Sequence, residues 1–123
     1  MMGGMTSKLT VVYGIPNCDT VKKARAWLTA KGVDYQFHDF KKQGVPEPQL
    51  DLWLQQLGWE KLVNRKGTTW RGLDAAAQAS VVDAASAKRI ILLTSSIVKR
   101  PVVSWPTGGI TVGFDLGTWE QRI

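Results

Sequence analysis

The spacing of apolar positions changes several times along the chain, and each change marks an element. Leu9-Thr-Val-Val-Tyr13 is a β-branched and aromatic run that stops at Gly14, and it reads as a strand. Pro16 and Asn17 then mark a turn. From Asp19 to Lys31 the period becomes helical: Val21, Ala24, Trp27 and Leu28 share one face, while Lys22, Lys23 and Arg25 occupy others. Gly32 is the expected stop. Residues 34–40 alternate, with Tyr35, Phe37 and Asp39 on one face and Gln36, His38 and Phe40 on the other, and read as a second strand. Strand, helix and strand within about thirty residues is the length of a βαβ unit. A parallel pair with a right-handed crossover is then the default.

The middle of the chain reads as helical. Leu50, Trp53, Leu54 and Leu57 fall at i, i+3, i+4 and i+7 between an entry at Pro46 and Pro48 and an exit at Gly58. A polar stretch over 64–69 follows. Ala75–Ala87 is Ala-rich with no internal Gly or Pro and is predicted as one helix. Ile90–Leu93 fits a strand or a buried helical turn equally well. The end of the chain reverts to strand character. Val102, Val103 and Trp105 form a short strand that stops at Pro106, Gly108-Gly109 supplies a tight turn, and residues 110–114 return as the partner strand. Residues 116–123 read as a terminal helix with Asp115 as its cap. With no internal repeat or boundary signal, the pattern predicts one domain over 9–123 behind a loose tail over 1–8.

Composition narrows the function classes. The chain has 123 residues, 44% of them apolar, which suits one folded domain and argues against disorder. The formal charge is +6. That favours anionic ligands, although a merely basic surface explains it as well. No apolar run of about 18 residues predicts a membrane span, and the N-terminus lacks the layout of a signal peptide. A single cysteine excludes an internal disulfide and fits the reducing cytoplasm. One Cys and one His cannot complete a structural zinc site, so no metal is expected. The Gly14-x-x-x-Cys18 spacing is not a phosphate-loop signature, and no nucleotide is expected.

Cys18 carries the strongest chemical signal. It follows a strand and a turn and stands at the start of a helix, where unpaired amides and the helix dipole favour a thiolate. Lys22 and Lys23 add positive charge one turn later. The bland alternative is a buried, inert thiol, which is the usual fate of a lone cysteine. His38, mid-strand, reads as an ordinary strand histidine rather than a base. Two basic segments suit an anion: Asn64-Arg65-Lys66-Gly67-Thr68-Thr69-Trp70-Arg71, and Lys99-Arg100-Pro101, whose proline is a candidate for a cis bond. Solvated loop charge is the alternative for both.

Taken together, these residues resemble the arsenate-reductase-like (ArsC) family, in its branch of small YffB-like proteins. The resemblance runs through Tyr13-Gly-Ile-Pro-Asn-Cys-Asp-Thr-Val-Lys-Lys-Ala-Arg25, His38-Asp39, Leu57-Gly-Trp59, Gly67-Thr-Thr-Trp-Arg71, Val98-Lys-Arg-Pro101 and Val112-Gly-Phe114. It implies an α/β, thioredoxin-like fold: a four-stranded mixed sheet with a helical insertion between strands two and three. It also implies that Ile90–Leu93 is helical and that Pro101 is a cis-proline facing the nucleophile.

The resemblance further implies Cys18 as the nucleophile, with Arg100 beside it as a catalytic cation. Asn17, Lys22, Arg65, Lys66, Arg71 and Pro101 are the expected substrate or glutathione contacts. Lys66 stands where related small proteins carry an arginine, with Arg65 one step earlier. A third arginine, expected after the hairpin turn near Ile110, is absent, so weak arsenate reduction is expected. The implied activity is that of a cytoplasmic thiol oxidoreductase. Glutathione would be its co-substrate, an oxidised thiol its substrate and glutaredoxin a candidate partner, and the chain is expected to be monomeric. The alternatives are a non-enzymatic regulator of the Spx type that binds RNA polymerase, although the Cys-x-x-Cys pair of many such regulators is absent here, and a glutaredoxin-coupled arsenate reductase.

Overall fold

A computed structural model describes residues 9–123; the tail expected over 1–8 lies outside the described residues. The chain divides into two compact units, one formed by the chain up to Asp39 together with Arg100–Ile123, the other by Phe40–Lys99.

The first unit contains the sheet. Its strands are β1 (Thr10–Gly14), β2 (Tyr35–Asp39), β3 (Val102–Ser104) and β4 (Ile110–Val112), in the order β2-β1-β3-β4. β1 and β2 are parallel, joined by helix α1 (Asp19–Ala30), as the βαβ spacing predicts. β3 is antiparallel to both β1 and β4. The sheet is therefore the expected four-stranded mixed one, with a helical insertion between its second and third strands. The β3–β4 turn runs from Trp105 through Pro106 and Thr107 to Gly108 and Gly109. The Trp105 carbonyl accepts the Gly108 N–H (2.9 Å), and the Trp105 N–H donates to Gly109 (2.9 Å). Gly108 takes φ +100°, which a side chain would resist.

One face of this sheet packs on α1 and on the terminal helix α8 (Leu116–Glu120). Val12, Ala24, Leu28, Val103, Trp105 and Trp119 form the buried cluster, with Trp27, Tyr35, Phe37 and Phe114 against it. The rings of Trp27, Trp105 and Phe114 all meet Trp119 edge-on, with centroids 4.7–5.7 Å away. Each fully buried large apolar side chain is worth about 1.5–3 kcal/mol, so this cluster fixes where α1 lies on the sheet. As predicted, Asp115 caps α8 by accepting the Thr118 N–H (3.1 Å), but the helix stops at Glu120 rather than continuing to Ile123.

The second unit is helical: α2 (Phe40–Gln43), α3 (Glu47–Leu57), α4 (Trp59–Leu62), α5 (Thr68–Arg71), α6 (Ala75–Ala79) and α7 (Ala84–Leu93), then a 3-10 turn at Ser95–Ile97. Two expectations are corrected here. Phe40 is not the end of the second strand. It opens α2 and is buried against Trp53, with ring centroids 6.3 Å apart. Nor is Ala75–Ala87 one helix. It breaks at residues 80–83 because local caps outweigh alanine's propensity. Ser80 Oγ donates to the Ala77 carbonyl (2.6 Å), and Asp83 and Ser86 form a reciprocal capping box that starts α7. Ile90–Leu93 is helical, as the family resemblance implied.

Candidate functional site

Cys18 is the N-cap residue of α1. Its backbone is extended (φ −125°, ψ 125°), its carbonyl accepts the Lys22 N–H (2.9 Å), and its side chain makes no capping hydrogen bond. The thiol is unpaired and half-buried. Amides of the first turn point toward this position, where negative charge is stabilised. Lys22, exposed one turn on, works in the same direction; Asp19, the first helical residue, works against it. Asn17 lies exposed in the turn just before the thiol.

Gly14 lets the helix approach. A Cβ at this position would lie 2.9 Å from Val21 Cγ2, so only glycine admits the first turn of α1 so close to β1. Arg25 ties the helix to β2. Its guanidinium lies 4.0 Å above the Phe37 ring, and its Nε donates to the Tyr35 hydroxyl (3.0 Å). The sequence reading placed Arg25 only on a polar face. The Lys-Lys-Ala-Arg spacing does put it one turn beyond Val21, but the cross-element stacking has no local signal.

The strand register brings a second element to the same end of the sheet. Tyr13 pairs with Val102. One step further along these antiparallel strands, Pro101 comes beside Gly14, from which the chain runs through residues 15–17 to Cys18. Arg100–Pro101 is a cis peptide, and the Pro101 carbonyl accepts the Gly113 N–H (2.9 Å). Arg100 is half-buried and its Nε is fully so. This is the carboxyl end of the parallel strands, where open α/β sheets hold ligands. Asn17, Cys18, Lys22, Arg100 and Pro101 thus all belong to the sheet unit, and both the loop before Cys18 and the Arg100–Pro101 segment leave the sheet at this end.

His38 does not join them. It pairs with Tyr13 in register, their rings are 5.1 Å apart, and both side chains lie on the sheet face opposite Val12 and Gly14, which meet α1. Burial raises the Tyr13 phenol above its ordinary pKa and keeps it neutral. The register also places the position near which the family resemblance leads one to expect a third arginine. Ile110 pairs with Ser104 at the turn end of the hairpin, away from Pro101. The β4-side residue beside Pro101 is Gly113, which has no side chain to offer.

Arg65, Lys66 and Arg71 belong to the helical unit. Arg65 stacks over Trp59 (5.6 Å) and lies 3.9 Å from Glu60. The Lys66 amide is held by Asn64 Oδ1 (3.2 Å), and Arg71 Nε points to the Gly67 carbonyl (3.5 Å). All three are exposed. Among the described residues, no group of three or more His, Cys, Asp or Glu is arranged to hold a metal, and no helix is long and apolar enough to cross a membrane.

Comparison with known proteins agrees with this fold. The structure "YFFB (PA3664) PROTEIN" is 42% identical, covers 92% of this chain and 97% of its own, and superposes with a TM-score of 0.85. An arsenate reductase (ArsC) related protein from Brucella melitensis is 47% identical over 94% of both chains, with a TM-score of 0.73. A global transcriptional regulator Spx from Lactiplantibacillus plantarum is 21% identical over 77% of this chain and 72% of its own. The model of the ArsC family matches residues 13–122, nearly the whole described chain, and with the thioredoxin-like architecture above it shows that this chain belongs to the ArsC family.

Proposed function

We propose that the chain is a cytoplasmic thiol oxidoreductase in which Cys18 is the nucleophile and glutathione the resolving thiol. The observation that carries this reading is the placement of the one cysteine: unpaired, half-buried, at the N-cap of α1 and on the carboxyl end of β1. The Cys18 thiolate attacks a sulfur of an oxidised thiol substrate. The substrate disulfide breaks, the leaving sulfur departs as a thiolate, and a Cys18 mixed disulfide forms. No second cysteine exists to open it. An outside glutathione thiolate therefore attacks, Cys18 leaves as thiolate, and the two electrons come from the thiol pool.

In this reading Arg100 offers charge-assisted hydrogen bonds to an anionic group of the substrate, and the Pro101 and Asn17 backbones border it. Parts for Lys22, Arg65, Lys66 and Arg71 in holding carboxylates are proposed from the family resemblance. The test is turnover of a glutathionylated peptide, with glutathione as reductant, by wild type and Cys18→Ser. Loss of turnover in the variant supports the reading, and absence of turnover in wild type sinks it.

Two neighbouring readings are separable. Neither Ile110 nor Gly113 supplies a third arginine, and loss of one preorganised charged contact to a developing oxyanion costs about a hundredfold or more in rate. Arsenate reduction should therefore be weak. The similarity to an Spx regulator supports a second reading, in which the chain docks on RNA polymerase without turnover. Co-purification with polymerase, unchanged in Cys18→Ser, would favour it.

A further inference from the structure

The helical unit has a charge asymmetry that extends beyond Arg65, Lys66 and Arg71, the cations proposed above for substrate carboxylates. Residues 40–99 carry nine Lys and Arg against five Asp and Glu. All five acids are engaged inside the unit. Glu47 and Asp51 hold Lys88 (2.9 and 2.8 Å), Glu60 faces Arg65, and Asp74 and Asp83 cap α6 and α7. Against these five acids the nine cations leave the unit a net excess of four positive charges.

Several of the unit's cations, the Glu60-paired Arg65 among them, are gathered by the backbone. The Lys99 N–H donates to the Leu62 carbonyl (2.7 Å), the Asn64 N–H donates to the Ile97 carbonyl (2.9 Å), and Val63 bridges Val98. This short antiparallel contact sets Lys99 opposite Leu62, the residue that follows Lys61. The turn after it carries Arg65 and Lys66, and Arg71 reaches back to Gly67 at the same turn. Lys61, Arg65, Lys66, Arg71 and Lys99 are all exposed, and Glu60 is the acid within this strip.

We infer that this strip is a docking surface for an acidic segment of a partner protein. Like charges crowded on a fixed loop framework raise the local potential and steer an oppositely charged partner toward it. A nucleic acid fits less well. Single-strand binding relies on open aromatic faces, whereas Arg65 covers Trp59, and both Trp59 and Trp70 are half-buried.

The experiment measures fluorescence anisotropy with a labelled octaglutamate peptide and a labelled oligothymidylate of equal length, on the full chain. It compares wild type, Lys61→Glu/Lys99→Glu, and a control of equal charge change in the sheet unit, Lys23→Glu/Lys31→Glu. Circular dichroism checks that each variant is folded. At about 0.01 M salt, where the Debye length is about 30 Å, octaglutamate should bind wild type and control alike. The strip variant should bind about tenfold or more weakly, and about 1 M salt should abolish binding in all three. No octaglutamate binding at low salt overturns the inference. Equal weakening in strip and control variants reduces it to net charge, and tighter binding of oligothymidylate reassigns the strip to nucleic acid. None of these readouts involves thiol turnover, so the inference stands or falls separately from the role of Cys18.

Discussion

Gly14→Ala tests how the fold positions the thiol. A methyl at residue 14 would lie 2.9 Å from Val21 Cγ2, 3.5 Å from Cγ1 and 3.9 Å from Phe37 Cε1. Val21 is fully buried, and a helical valine holds about 90% of one χ1 rotamer, so it cannot swing away. Overpacking of this kind costs about 1–3 kcal/mol. The lower unfolded-chain entropy of alanine offsets about 0.4–1 kcal/mol of that. The net expectation is a loss of about 1–2 kcal/mol, read as a lower urea midpoint at unchanged m-value. Because the clash sits on the first turn of α1, alkylation of Cys18 should change rate in the same variant. Val21→Ala removes the atoms that clash, so the double variant should be more stable than the sum of the single losses. Strict additivity, or a Gly14→Ala protein as stable as wild type, would refute the claim that close approach at Gly14 seats the helix.

The remaining predictions concern the core, the caps and the charged groups. Trp105 Nε1 donates to Thr111 Oγ1 (2.9 Å), while the buried Trp119 Nε1 has no hydrogen-bond partner. Trp105→Phe should therefore be more destabilising than Trp119→Phe by about 1 kcal/mol in chemical denaturation. Hydrogen bonds from the Ser86 amide and hydroxyl hold Asp83 below the ordinary aspartate range, and those from the Thr118 hydroxyl and amide do the same for Asp115. Their depressed values mean that this stability is present above the ordinary value of about 3.9 and is lost as pH falls through the folded values. Asp83→Asn and Asp115→Asn should flatten the acid limb of a stability–pH curve, and an unchanged limb would contradict the capping account. Arg100→Ala should raise KM for a glutathionylated substrate more than Arg100→Lys does, since lysine keeps the charge but loses the planar fork. Equal effects would remove Arg100 from substrate binding.

The strands, the first helix and the hairpin were legible because their signals are local. The β-branched run before Gly14, the 3.6-residue spacing of Val21, Ala24 and Leu28, and Gly108-Gly109 each act within a few residues. The break between α6 and α7 was legible in principle, since Asp83-x-x-Ser86 is a capping box, but the alanine run masked it. Phe40 misled for a different reason. An apolar residue after an alternating strand extends the pattern equally well whether it pairs in the sheet or turns to bury against Trp53. In the candidate site, Cys18 at a helix start was readable from the strand–turn–helix order. The alignment of Arg100–Pro101 with the end of β1 depends on the Tyr13–Val102 register between residues far apart in sequence, and the location of Ile110 depends on the hairpin register. Neither register has a signature within one segment.

The central claim is that Cys18, at the α1 N-terminus, is a reactive nucleophile whose mixed disulfide an outside thiol must resolve. The direct measurement is the rate of iodoacetamide alkylation of Cys18 near neutral pH, folded against urea-unfolded, followed by intact-mass analysis of folded protein exposed to oxidised glutathione. The account predicts faster alkylation in the folded state, despite the half-buried thiol, and one glutathione adduct on Cys18 that added glutathione removes. Folded protein that alkylates no faster than the unfolded chain and takes up no glutathione would contradict it.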